Sequence, residues 1–377
     1  MNIRRTRAIA QKEFLHIVRD VRSLILALAM PMMMLLLFGY ALSLDVDSIP
    51  TIVWDQDKTP QSRELMEKFQ ASRFFKILGE TQDYSAIERE INSGRTSFAI
   101  IIPLDYSKDL LSGREARVQL IFDGSDSNTA SIAVGYSDAV LQAYSTELRK
   151  LSIERKAGRE LPIPVEPRLR VWYNSELKSK NYIVPGLIAV ILMIISALLT
   201  SLTIAREWEM GTMEQVLTTP LRAAELVLGK MLAFFVLGIL DALTAVAIGV
   251  LVFDVPFRGS LPLLFLTTCV FLFGSLCWGI FLSALARSQL LAFQMGIISS
   301  FLPAFLLSGF IFSIENMPWV VQVITYIFPA RYFVTMLKGI FLKGVGVPVL
   351  WPEIAFLLVY CLLVFVAATR KVGSRLA

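Results

Sequence analysis

The sequence has few of the residues that most often carry chemistry. It contains one histidine, His16, and three cysteines, all of which fall inside hydrophobic runs. One histidine gives too few ligands for a histidine-based metal or catalytic centre. No cysteine spacing matches a disulfide framework or a zinc site. The sequence therefore predicts no metal site and no catalytic residue in this chain.

Charged residues are also scarce. They make up 18% of the 377 residues, whereas 55% are hydrophobic, and this balance favours a membrane protein over a soluble one. A net charge of +5 can indicate nucleic-acid binding, but the basic residues do not gather on one soluble segment. Many flank the hydrophobic runs instead. We therefore expect contact with membrane lipids and no nucleic-acid partner.

Six hydrophobic runs are long enough to cross a bilayer. The first, residues 23–44, has a longer apolar core than a cleaved signal peptide and follows a charged stretch, so it is interpreted as an uncleaved anchor. The others are 182–205, 228–253, 261–286, 289–314 and 352–369. The predicted fold class is a polytopic α-helical membrane protein with six transmembrane helices.

Basic residues at the two ends predict the orientation of these helices. Six arginines and lysines precede the first run, and Arg370, Lys371 and Arg375 follow the last. The positive-inside rule then places both termini in the cytoplasm. Residues 45–181 fall on the outer side, and residues 182–377 hold the remaining five spans.

Residues 45–181 read as an α/β domain. Strands are predicted at 51–55, 74–78, 96–102 and 117–122, with helical segments between them, a long helix at 129–156 and a returning strand at 169–173. No GxGxxG motif opens a helix here, so no nucleotide site is predicted.

Residues 315–351 are too short and too rich in proline for a simple span. A re-entrant helical hairpin on the outer face is predicted, with Trp319, Tyr326, Tyr332 and Trp351 near the lipid headgroups. Two further spans are the alternative.

Residues 1–22 predict a cytoplasmic amphipathic helix. Ala10, Phe14, Ile17 and Val21 form one apolar stripe, which suits an anchor on the membrane surface. A surface that receives a partner protein is the second interpretation, and one helix can serve both purposes.

A polar stretch, REWEMGTMEQVLTTPL at 206–221, separates the second and third runs. Gly211 is expected to end one helix, and Thr212 with Gln215 to form a capping box that starts a short second helix. Pro220 suits the first turn of the next helix. The apolar residues Met213, Val216 and Leu217 can rest on lipid or dock in a groove of a partner.

The same stretch, extended to REWEMGTMEQVLTTPLRAAELVLGK, resembles the signature of the ABC type-2 exporter permeases. The matching positions are Arg206, Glu207, Glu209, Gly211, Thr212, Glu214, Thr219, Pro220, Gly229 and Lys230. Further similar segments are QKEFLHIVRDVRSL, VWYNSELKSKNYIVPGL, VPFRGSLPLL and NMPWVVQVITYIFPARYF. The resemblance covers nearly the whole chain, including the large external domain of one branch of the family.

This resemblance implies a membrane subunit whose power comes from a separate ABC ATPase that holds the ATP and Mg²⁺, so no cofactor is expected on this chain. It implies that the helix within 206–219, including Leu217, couples to the ATPase and that Glu13 belongs to the ATPase cradle. A second permease subunit would complete the path. The branch resembles drug-efflux components that work beside a periplasmic adaptor and an outer-membrane channel, so hydrophobic drug-like compounds are the expected substrates.

The segment AELVLGKM invites a Walker-A interpretation, but the pattern fails. It requires glycine where Ala224 stands and serine or threonine where Met231 stands, so the chain lacks a phosphate cradle there. Lys230 is instead expected to extend to the inner headgroups.

Asp241 lies near the middle of the third run, where a carboxylate is costly unless it faces protein or water. Asp241 and Gln294 are candidates for the substrate path or for a hydrogen bond between helices. Small residues at every fourth position, including Ser275, Gly279, Gly296 and Ser300, predict close helix packing. Two rival functions stay open: a proton-coupled secondary transporter that uses Asp241, and a sensor or assembly protein whose external domain binds a ligand.

Overall fold

The computed structural model describes residues 2–42, 48–157, 172–174, 178–286 and 288–376. The chain divides into two compact units, one of residues 44–169 and one that combines residues 1–43 with 170–377. The second unit begins with helices α1 (Ile3–Arg19) and α2 (Val21–Ala41), which Asp20 separates.

The unit of residues 44–169 is an α/β fold. Its strands are β1 (Ile49–Asp55), β2 (Phe75–Glu80), β3 (Phe98–Ile102) and β4 (Gln119–Phe122), and its helices are α3 (Pro60–Ala71), α4 (Tyr84–Asn92), α5 (Tyr106–Leu111) and α6 (Ser127–Ala157). The sheet order is β2-β1-β3-β4; β1 is parallel to both neighbours, and β4 is antiparallel to β3. The four strands overlap the four predicted ones between residues 51 and 122.

Both faces of this sheet are covered. Phe98, Ile100 and Ile102 of β3 lie in a core with side chains of α3, α5 and α6, whereas Ala99 and Ile101 pack with Ile87 of α4 on the other face. All five residues of β3 are buried, so its sequence FAIII is continuously apolar. Of the returning strand predicted at 169–173, only Trp172 and Tyr173 are described, and neither is in a strand.

In the described residues after this fold, the membrane-type unit has nine further α-helices. They are α7 (Ser179–Glu209), α8 (Met213–Leu217), α9 (Ala223–Leu251), α10 (Leu261–Leu285), α11 (Gln289–Gly296), α12 (Leu302–Leu306), α13 (Trp319–Thr325), α14 (Pro329–Lys338) and α15 (Val347–Leu376). Six segments of the described chain are long and apolar enough to cross a membrane: α2, α7, α9, α10, α11 with α12, and α15. The protein is therefore a mostly helical, polytopic membrane protein.

Helix α7 forms the centre of this unit. In its most apolar stretch 78% of the residues are buried, against 22% in α2 and in α15. It packs closely on α10, as Gly279 shows: a Cβ there would overlap Thr200 Oγ1 and the carbonyl oxygen of Ala197. Thr200 donates a hydrogen bond to the carbonyl of Leu276 at 3.0 Å across the same contact. Ser283 accepts the backbone N–H groups of Ile204 and Ala205, each at 2.9 Å.

The other small residues lie at similar contacts. Ser275 is buried against Met193 of α7, with 3.2 Å between the hydroxyl oxygen and the sulfur. A Cβ at Gly296 would lie 3.1 Å from Ser201 Oγ, and Ser300 is fully buried. Between α11 and α12 the chain makes a π-helical turn at Ile297–Phe301, and Pro303 follows it.

The proline-rich region predicted as a hairpin at 315–351 contains two short helices. Helix α13 is followed by α14, which continues as a π-helical turn to Lys343, and the pair is bent by 86°. Either a re-entrant hairpin or one broken span fits a bend of this size. Trp319, Tyr326 and Trp351 are exposed, which suits side chains at a lipid interface.

We expect Gly279→Ala to destabilise the protein more than Gly238→Ala. The new Cβ at residue 279 would press on backbone atoms of Ala197, which cannot rotate away, so overpacking should cost about 1–3 kcal/mol. At residue 238 the nearest atoms, 3.3 Å away, belong to the flexible end of Leu272. Melting temperatures of both variants in one detergent test this, and equal values would contradict it.

Candidate functional site

A cluster of four charged side chains joins α1, α7 and α9. The ammonium group of Lys230 on α9 lies 3.0 Å from a carboxylate oxygen of Glu13 on α1 and 3.0 Å from one of Glu207 on α7. Lys12 contacts the same two carboxylates at 3.2 Å and 2.8 Å. Lys230 is only 1% exposed, so the expectation that it extends to the headgroups is wrong. It points inward because two buried carboxylates stand opposite it.

Burial and charge act against each other in this cluster. Burial alone would raise the pKa of Glu13, but the ammonium groups of Lys230 and Lys12 hold that pKa below its usual value. Burial would lower the pKa of Lys12, but its hydrogen bond to Glu207 and the two nearby carboxylates raise it. The ion pairs therefore favour the ionised forms of Glu13 and Lys12.

The polar face of α1 packs on the helix bundle. Thr6 and Glu13 are its buried residues, whereas Phe14 and Val21 of the predicted apolar stripe are 45% and 57% exposed. A Cβ at Gly229 of α9 would lie 2.6 Å from Ile9, so only glycine lets α1 approach this closely. Phe14 and Val21 are thus free to meet lipid, whereas Ala10 and Ile17 of the same stripe are half-buried.

A second contact holds the start of α1 at the start of α9. The backbone N–H of Asn2 donates to one carboxylate oxygen of Glu225 at 2.6 Å, and the N–H of Arg222 donates to the other at 3.2 Å. Arg5 lies 4.0 Å from Glu225 and also donates to the carbonyl of Pro220. Glu225 was not among the predicted site residues; its position three residues after the helix start was the available signal.

The polar stretch between α7 and α9 differs from its predicted form. Helix α7 continues to Glu209, so Arg206, Glu207 and Glu209 lie on the long helix rather than on a short one. Gly211, at a φ of 71°, ends α7 as expected. Thr212 does not cap α8: its backbone is already helical, and its hydroxyl donates back to the carbonyl of Glu207 at 3.3 Å.

The other residues of this stretch lie in α8, before α9 and at the end of α7. Helix α8 is five residues long. Its first residue, Met213, is buried and the next, Glu214, is exposed. The side chain of Leu217 lies outside the described set. Pro220 precedes α9 rather than joining its first turn, because α9 begins at Ala223. Glu209 accepts the N–H of Gln289 at 2.8 Å, which joins the end of α7 to the start of α11.

A cavity of about 810 Å³ lies between these elements. Residues of α1, of α8 and the turn after it, and of the adjoining ends of α2, α7 and α9 line it, with Glu13, Glu207, Lys230 and Gln215 among its polar residues. Of the predicted coupling residues, Glu13, Arg206, Glu207, Thr212 and Pro220 therefore border one space. Glu209, Gly211 and Glu214 are absent from its lining.

Asp241 and Gln294 do not form the hydrogen bond that was considered for them. Asp241 is 1% exposed, and neither of its carboxylate oxygens has a hydrogen-bond partner among the described residues. Gln294 is exposed on α11. Asp241 is thus enclosed within the bundle of this chain, and its place on the substrate path stays a prediction.

The fold and this site define a class: a multi-pass helical membrane protein with an attached amphipathic helix and a short polar helix between its second and third spans. Residues 21–370 match the sequence model described as ABC-2 family transporter protein, and the chain belongs to that family.

Named relatives agree with this assignment. The chain is 33% identical over 367 residues to the "Probable multidrug ABC transporter permease YbhS" of Escherichia coli, covering 97% of this chain and 96% of the relative. It is 31% identical over 349 residues to "Probable multidrug ABC transporter permease YbhR", covering 93% of each. "Inner membrane transport permease YhhJ" is 28% identical over 309 residues, covering 81% and 79%. The chain is thus the permease subunit of an ABC exporter, a transporter component that the family pairs with an ABC ATPase.

We expect Lys230→Met to lower stability by ~3 kcal/mol, because it leaves two buried carboxylates facing one exposed lysine. The triple variant Lys230→Met, Glu13→Gln, Glu207→Gln should recover much of this loss, since no buried charge is then stranded. Lys343→Met, at an exposed site, is the matched control. Melting temperatures of the variants test this. A triple variant that melts at a lower temperature than Lys230→Met would contradict the prediction.

Asp241→Asn should keep or raise the melting temperature, because the carboxylate it replaces accepts no hydrogen bond in the described structure and is costly to bury. Ser283→Ala is the contrasting variant: its hydroxyl accepts two backbone N–H groups, so its loss should cost ~1 kcal/mol. A marked fall in stability for Asp241→Asn would show that the carboxyl group has a partner.

Proposed function

We propose that this permease exports hydrophobic, drug-like compounds, driven by ATP that a separate ABC ATPase hydrolyses. Two close relatives carry names that describe multidrug permeases, and this supports the substrate class. ATP and Mg²⁺ belong to the partner, because the Walker-A pattern fails at Ala224 and Met231.

The ATPase docks on the surface formed by α1 and the segment from Gly211 to Pro220. The observation that carries this proposal is the ion cluster of Glu13, Glu207, Lys12 and Lys230, which binds α1 to the ends of α7 and α9 beside α8. A displacement of α1 or α8 by the ATPase would therefore reach two spans at once.

Orientation follows from charge. The basic residues before α2 and at the end of α15 support a cytoplasmic location of α1, α8 and both termini in a bacterium. The α/β unit then lies outside the cytoplasmic membrane, and the α13–α14 pair lies near the outer face.

A second permease subunit, identical or paralogous, completes the translocation path. The exposed apolar side chains of α2 and of the α11–α12 span, such as Leu37 and Ile298, offer surface for lipid or for this partner. A periplasmic adaptor and an outer-membrane channel would continue the route from the α/β unit.

Charge reversal on α8 tests the docking surface. Glu214→Lys should reduce both substrate-stimulated ATP hydrolysis and export at least ~tenfold, because it reverses the charge of the exposed acid that meets the ATPase. Glu88→Lys, an exposed acid on α4 of the α/β unit, is the control and should change neither. Assays use the permease co-purified with its ATPase in proteoliposomes.

Two results would reject the proposal. If Glu214→Lys leaves ATP hydrolysis and export unchanged, α8 does not couple the two subunits. If transport continues without any ATPase and stops in Asp241→Asn, the protein is a proton-coupled transporter instead. A protein without flux that responds to an external ligand would be a sensor.

A further inference from the structure

The 810 Å³ cavity extends past the charged cluster into the membrane-spanning helices. Its deep wall contains Leu24 and Ala27 of α2, Leu199 of α7, and Phe234 and Leu237 of α9. Lys230 and Leu237 are seven residues apart on α9, a rise of ~10 Å. Because all these side chains belong to candidate spans, the deep part lies at the level of lipid tails.

Both cations and acids line this cavity, the acids being Glu13, Asp20 and Glu207. Lys12, Arg5 and Arg206 line it, and Lys12 is already paired with Glu13 and Glu207. Arg206 is exposed and has no carboxylate within ion-pair distance among the described residues. The side chain of Arg5 is 40% exposed and lies 4.0 Å from its acidic neighbour. Arg206 is therefore available to an anionic group, and Arg5, whose Nη1 donates to the carbonyl of Pro220, has other N–H donors left for one.

The shape and chemistry of the cavity fit an amphiphile. Its volume falls within the range of ligand pockets, ~300–1,000 Å³. A soluble protein partner can reach the charged opening but not the apolar part at tail depth, and water gains few hydrogen bonds there. An acyl chain fills that part without loss of hydrogen bonds, and a phosphate at the opening pairs with guanidinium groups.

We propose that this cavity binds one anionic phospholipid from the adjacent leaflet. One acyl chain lies between α2, α7 and α9, and the phosphate contacts Arg5 and Arg206. The lipid is a resident component rather than exported cargo, so the proposal does not depend on the proposed export function. Since residues of α1 and α8 border the same cavity, the bound lipid supports both elements from below.

The test measures binding of phosphatidylglycerol to the full-length, delipidated protein by native mass spectrometry, with phosphatidylcholine of the same chains as reference. The unaltered protein should bind one phosphatidylglycerol with preference over phosphatidylcholine. Ala27→Trp fills the deep part and should weaken binding at least ~tenfold. Leu26→Trp, the neighbouring residue, which is 67% exposed, should leave binding unchanged. Leu24→Trp replaces Ala27→Trp if the latter does not fold.

Arg5→Gln and Arg206→Gln test the headgroup contacts. Each should weaken phosphatidylglycerol binding by about fivefold and leave phosphatidylcholine binding as it is. Equal binding of the two lipids, or no effect of either arginine, overturns the headgroup assignment. Equal effects of Ala27→Trp and Leu26→Trp overturn the cavity as the site. Displacement of the lipid by inorganic phosphate alone would show an anion site without a lipid.

Discussion

The burial of Lys230 between Glu13 and Glu207 is the constraint that holds α1 against α7 and α9. Charges taken out of water are stable only while their partners stay in place. If helix α1 left α7 and α9, Lys230 would lose the carboxylate of Glu13 and keep Glu207 as its ion-pair partner, so the separation is costly. A helix with a polar sequence thus becomes a fixed part of the spanning bundle, and the exposed part of its own apolar stripe is left for other contacts.

The sequence correctly predicted those structural features that depend on a few neighbouring residues. The continuous apolar run of β3 and the long hydrophobic runs of the spans are visible in windows of a few residues, and Gly211 marks the end of α7 because a positive φ favours glycine. The contact of Lys230 with Glu13 was missed in prediction, because the two residues are separated by 217 positions. No window contains both partners, and an apolar stripe is the stronger local signal.

The same limit applies to Thr212 and to the small residues. A capping box between Thr212 and Gln215 was plausible from spacing, but the turn at Gly211 leaves Thr212 already helical, and its hydroxyl returns to Glu207. Glycine at 229 and 279 could be recognised as small from sequence. Only the fold shows that one faces Ile9 and the other faces the backbone of Ala197.

Contact between the backbones of α7 and α10 has a consequence for how the bundle can rearrange. Side chains that interlock through rotatable atoms can exchange partners, but a glycine seated on a carbonyl leaves no atoms free to do so. The close contact at Gly279 therefore opposes sliding of α7 along α10, and we expect the two helices to move together.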